Sequence, residues 1–152
     1  MRVIQSSSGE KPMAQDEEIT KNLTLLEYYK EQLANLDMQQ QYLQAALLDY
    51  QKAKITIENL GKEQGENDLL IPVGSGVFIS AVSTNTDKVL IDIGADLVVE
   101  KPVNEAIKNI DTRMEMVQEN QKKLLTMAQQ LQTEAEALSQ RTQDMMARNQ
   151  QQ

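Results

Sequence analysis

The chain has 152 residues, enough for one domain of ordinary size, but only 3% of them are aromatic, so large rings cannot fill a thick core. Cysteine and histidine are absent, which excludes disulfides, thiol nucleophiles, zinc sites built from Cys and His, and a Ser-His-Asp triad. A net charge of −8 disfavours binding to a phosphate backbone, no apolar run is long enough to span a membrane, and the start of the chain lacks the long apolar stretch of a signal peptide. The expectation is a cytoplasmic protein that is not an enzyme, needs no cofactor and binds neither nucleic acid nor membrane.

Taken in chain order, residues 1–15 carry Ser6-Ser7-Ser8-Gly9 and no periodic pattern, and are expected to be a disordered N-terminal extension. Residues 16–61 are predicted to form a first long helix. Neither Gly nor Pro occurs between residues 13 and 60, and the stretch is rich in Gln, Leu, Ala, Glu and Lys. Ile19, Leu26, Leu33, Gln40, Leu47 and Lys54 make one heptad track, and Asn22, Tyr29, Leu36, Leu43, Tyr50 and Ile57 the other. A seam held over that many heptads argues for a coiled coil rather than a surface helix.

Residues 62–101 are a different material. Leu69–Val73, Val77–Val82, Lys88–Ile93 and Leu97–Lys101 are short β-rich runs, separated by Gly74-Ser75-Gly76, by the polar cluster Ser83–Asp87, and by Gly94-Ala95-Asp96. They read as two β-hairpins. Val77, Ile79 and Ala81 lie on one face of their strand and Phe78 and Val82 on the other, while Val89, Ile91 and Ile93 oppose Leu90. Four short strands cannot cover apolar groups on both faces, and their edges stay open. The expectation is therefore an obligate oligomer in which Val77, Phe78, Ile79, Val89, Ile91 and Ile93 meet strands of other subunits.

Residues 102–152 are predicted to be a second long helix opened by Pro102. Val103, Ile110, Val117, Leu124, Leu131, Leu138 and Met145 form an apolar track, with Ile107, Met114, Gln121, Ala128, Ala135 and Thr142 as its companion. The two helices are expected to pair antiparallel, with Leu47 opposite Met114, Leu33 opposite Ala128, and Gln40 sharing a polar layer with Gln121 that fixes the register.

Other chemical patterns are weak. Gly74-Ser75-Gly76 leads into a strand and has Ile79 where a dinucleotide fingerprint needs its third glycine, so a hairpin turn is the better reading. Asp92 and Asp96 read as turn residues, and the glycosylation sequon at Asn22 falls on the seam.

Leu70-Ile71-Pro72-Val73-Gly74-Ser75-Gly76 and Asp87-Lys88-Val89-Leu90-Ile91-Asp92-Ile93-Gly94, set between two long helices, resemble the α subunits of archaeal prefoldin over about residues 16–150. The departures are Pro102, Ala95-Asp96 and the N-terminal extension. The resemblance implies an α+β fold: a long antiparallel two-helix coiled coil whose two β-hairpins join an intersubunit β-barrel in a hexamer of two α and four β subunits. It also implies a chaperone that holds non-native proteins without ATP and passes them to a group II chaperonin. On this reading the free ends of the helices hold clients through Ile19, Leu23 and Leu26 and through Leu138, Met145 and Met146. The rival class is a homo-oligomeric coiled-coil scaffold or filament.

Overall fold

The computed structural model describes residues 10–63 and 65–152. The order of elements is helix α1 (Glu10–Lys62), strands β1 (Asn67–Gly74), β2 (Val77–Ser83), β3 (Lys88–Gly94) and β4 (Leu97–Pro102), then helix α2 (Val103–Gln150). Two long helices with two antiparallel hairpins between them are the fold expected from the sequence. Helix α1 starts earlier than expected: Glu10–Gln15 are its opening turns, while residues 1–9 of the expected extension lie outside the described residues. The physical reason is that Pro12 falls in the first turn, where a missing N–H costs nothing, and Met13, Ala14 and Gln15 are good helix formers.

The chain divides into two units. The first joins α1 up to Tyr42 with α2 from Gln121 onward. Its helices run antiparallel: Asn149 Nδ2 donates to Asp16 Oδ1 at 2.9 Å, Tyr29 hydrogen-bonds the Glu134 carboxylate, and Gln40 lies against Gln121. Between them, Leu36 is 6% exposed and Thr142 2% exposed.

The second unit, residues 43–120, holds the rest of both helices and both hairpins. Lys54 Nζ meets Asp111 Oδ1 at 2.7 Å, and a Cβ placed on Gly61 would lie 3.7 Å from Val103 Cγ1, so these helical segments are also antiparallel neighbours. Leu47, Ala106 and Ile110 are buried here. Every residue of the four heptad tracks, in both units, is buried or half-buried. The 3.5-residue spacing of apolar side chains thus selects the covered stripe.

Each hairpin is a separate two-stranded antiparallel sheet. β1 pairs with β2 through Leu69↔Ala81 and Ile71↔Ile79, and β3 with β4 through Leu90↔Glu100 and Ile91↔Val99. Both hairpins break register before the turn, between Pro72 and Gly74 and between Asp92 and Gly94. Both then turn through two residues of positive φ, Ser75 (50°) with Gly76 (75°), and Ala95 (54°) with Asp96 (58°). Two successive left-handed residues are what a tight hairpin turn needs to match strand twist. The Asp92 side chain braces the second turn, its Oδ1 accepting the Gly94 N–H at 2.8 Å.

The likeness extends to sequence. Leu70-Ile71-Pro72-Val73-Gly74-Ser75-Gly76-Val77-Phe78-Ile79 is matched in order by Leu90-Ile91-Asp92-Ile93-Gly94-Ala95-Asp96-Leu97-Val98-Val99. The hairpins are two editions of one motif.

The link between them ties the strands to the helix ends. The Thr86 hydroxyl donates to the Glu63 carbonyl at 3.4 Å. The Val103 N–H, left without an intrahelical acceptor at the start of α2, donates to the Asp87 carbonyl at 3.0 Å. Arg113, two turns into α2, donates to the Asp92 carbonyl and anchors the second hairpin.

Candidate functional site

Among the described residues no cluster of acidic side chains could hold a metal ion, and no helix is long and apolar enough to cross a membrane. What the chain presents instead is uncovered apolar surface, in two places.

The first is the hairpin pair. Val77, Phe78 and Ile79 are more than half exposed, although Phe78 points to the strand face opposite its neighbours. Leu70, Val82, Leu90, Leu97 and Val98 are exposed as well. Apolar residues on both faces of a two-stranded sheet lack any cover within the chain, and contiguous exposure of this kind marks an interaction surface. Of the other residues expected to join subunits, Ile93 is exposed, Val89 is half-buried, and Ile91 is 9% exposed, the only strand residue in the core among the described residues. Ile91 is therefore covered within its own chain. The alternation of β3 explains it: Val89 and Ile91 turn inward, Leu90 outward, and the register break after Asp92 returns Ile93 to the surface.

The second surface lies at the end of the first unit that contains residues 13–26 and 138–149. Leu23 is 43% and Met146 36% exposed, while Ile19, Leu26, Leu138 and Met145 are half-buried along the seam. In heptad terms Leu23 and Met146 sit beside the seam, where coiled coils ordinarily carry charge.

The expected meeting of the two glutamines runs through the main chain. Gln40 and Gln121 do meet, but Gln40 Nε2 donates to the main-chain carbonyl of Gln121 at 2.9 Å, not to its side-chain amide. Toward the other end of this unit the pairing drifts from the expected one, Tyr29 meeting Glu134 two residues beyond it and Asp16 meeting Asn149 four residues beyond it.

The same register brings Asn22 level with Thr142. Asn22 Nδ2 is buried with no hydrogen-bond partner, the single such side-chain atom among the described residues. The Thr142 hydroxyl donates to the Leu138 carbonyl of its own helix at 2.7 Å and accepts nothing from Asn22. A buried donor left unmade costs about 1–3 kcal/mol. Asn22 is the one polar residue among Ile19, Leu26, Tyr29, Leu33 and Leu36 on the two tracks, and that interruption was its signal in the sequence.

A family model described as Prefoldin subunit matches residues 29–152. The "Prefoldin subunit alpha" of Archaeoglobus fulgidus is 30% identical over 84% of this chain and 93% of its own length. That of Methanocorpusculum labreanum is 30% identical over 80% of this chain and 83% of its own. Two solved structures share the fold. The filamentous PFD of Methanocaldococcus jannaschii, seen by cryo-EM, has a TM-score of 0.54 at 24% identity, covering 80% of this chain and 95% of that one. The prefoldin β subunit of Thermococcus strain KS-1 has a TM-score of 0.55 at 17% identity, covering 84% and 90%. With paired helices, twin hairpins and close relatives among archaeal α subunits all in agreement, the chain belongs to the prefoldin family of chaperone subunits.

Proposed function

We propose that this chain is the α subunit of an ATP-independent chaperone, capturing non-native proteins at the free ends of its coiled-coil helices and delivering them to a group II chaperonin. The observation that carries the reading is apolar surface where a coiled coil normally has charge: Leu23 and Met146 exposed beside the half-buried Ile19, Leu26, Leu138 and Met145. A small apolar patch on adaptable Leu and Met side chains suits many unfolded chains and no single folded one. The hairpins, through Val77, Phe78, Ile79 and Ile93, join two such chains to four β subunits, and the proposed setting is the cytoplasm.

The test is to delete residues 1–26 together with 136–152 and assay suppression of aggregation by the assembled complex. Assembly is expected to survive while protection falls sharply. Undiminished protection would mean that clients bind elsewhere.

A second reading, a homo-oligomeric scaffold or filament, is favoured by one observation: the likeness in fold to a filamentous PFD. Mass measurement of the purified chain with and without a β subunit separates the two. A hexamer formed only with β supports the chaperone; an extended homopolymer formed alone supports the scaffold.

A further inference from the structure

We propose that Asn22 is itself a client-binding residue: the seam parts at the Asn22–Thr142 layer, and the Asn22 amide then donates to main-chain carbonyls of the captured chain. This rests on the reading that clients are held at this end of the helices. The starting point is the buried, unpartnered Nδ2 of Asn22 in a stripe otherwise covered by Ile19 and Leu26. The contacts Asp16–Asn149 and Tyr29–Glu134 on either side bracket Asn22 at the level of Thr142, whose hydroxyl is turned to the Leu138 carbonyl, and the closed seam leaves Nδ2 without an acceptor. Closing the seam here is thus less favourable than at a wholly apolar layer, and opening it returns the donor to a place where it can be paired.

The surroundings fit a polypeptide guest. Leu23 follows Asn22 directly and is already exposed, and Met146 is exposed one turn beyond Thr142. Folded proteins satisfy nearly all of their main-chain carbonyls, whereas a non-native chain carries many that are unpaired. A single donor set among apolar side chains therefore reads two properties shared by every unfolded protein, greasy side chains and free carbonyls, without reading sequence. An apolar residue at position 22 would read only the first.

The test uses the complete complex of this chain with its β subunits and a permanently unfolded client, reduced and alkylated α-lactalbumin. Client release and hydrogen exchange of residues 13–26 are followed for three variants. Asn22→Leu seals the seam and removes the donor; slower exchange and about fivefold faster release are expected, the change one neutral hydrogen bond carries. Asn22→Asp keeps the shape and polarity but has no donor, so release is again expected to be about fivefold faster even though exchange is as fast as in the native chain or faster. Both variants must release faster; native release by either one overturns the proposal. Leu23→Ser with Met146→Ser tests the reading beneath it. If that double variant loses clients while the Asn22 variants hold them, the donor role fails and the capture site stands. If none of the three weakens capture, the capture site itself is wrong.

Discussion

Lys54 and Asp111 meet at 2.7 Å in the second unit, with Lys54 occupying a seam position that heptad spacing would give to an apolar residue. The hydrogen bond to Asp111 raises the Lys54 pKa above its ordinary 10.5, with the charges of Asp111 and Glu58 acting in the same sense against desolvation. In the first unit the Tyr29 pKa is raised above 10.0, by desolvation first and then by the Glu134 carboxylate and its hydrogen bond.

Both shifts have the same sign. Each group holds its proton more tightly folded than unfolded, so its contribution is fully present below the unfolded pKa and is lost as pH rises through the folded one. The paired helices are expected to lose stability above about pH 10. Thermal melts of the native chain, Lys54→Met and Tyr29→Phe at about pH 8 and pH 11 check this, since each substitution should flatten the alkaline decline. A decline equally steep in both variants would refute the assignment.

Phe78→Asp and Leu90→Asp are expected to abolish assembly with β subunits and leave helix content unchanged, because both side chains are exposed within the chain. Ile91→Asp should behave differently. Its side chain is buried in its own subunit, and an unpaired charge there costs roughly 3 kcal/mol or more, so the hairpin unfolds before assembly is tested. Circular dichroism and mass measurement on the three variants separate the two outcomes.

Ala95 holds a φ of 54°, where an L-residue with a Cβ is disfavoured by about 1–2 kcal/mol. No heavy atom crowds the neighbouring Gly94, so the strain at this turn is conformational rather than steric from outside. Ala95→Gly is expected to stabilise the hairpin by about 0.5–1 kcal/mol and Ala95→Val to destabilise it by more than that. The midpoint of denaturant unfolding reports both, and a gain from valine would contradict the turn geometry.

Gln40→Leu is expected to raise the melting temperature. The substitution removes one half-buried hydrogen bond to the Gln121 carbonyl, worth about 1 kcal/mol, and adds an apolar side chain to the track that Leu33 and Leu47 continue on either side, worth about 1.5–3 kcal/mol when fully buried. A lower melting temperature would assign Gln40 a larger share of the pairing energy than one hydrogen bond.

The helices were legible because a seam repeats. Leu26, Leu33 and Leu47 announce their stripe by spacing alone, and all of them are covered in the folded chain. Register was legible only in part, because sliding one regular stripe past another still sets apolar against apolar. The meeting of Gln40 with Gln121 was readable from two polar interruptions, but Tyr29 with Glu134 and Lys54 with Asp111, two and four residues off that alignment, involve a ring and a lysine whose partners no periodicity reveals. The hairpins were legible through their turn residues. Which strand face turns inward was not, because Ile91 and Phe78 are equally apolar and only the folded chain covers the former and leaves the latter exposed. The repeat of one hairpin in the other, from Leu70 and Leu90 onward, rests on three identities in ten positions and apolar residues of different shape at four more, a match too faint for periodicity to show.

That repetition gives the chain a valence. If both hairpins join neighbours, as proposed, two ends of similar make on either side of the short Thr84–Asp87 link let one molecule bind two of them. A unit of valence two, mixed only with itself, closes into a ring where the rotation between copies allows it and otherwise grows as a line. A partner of another kind that offers a single such surface ends the line. In the proposed assembly the ratio of subunits, rather than any single contact, then sets the size.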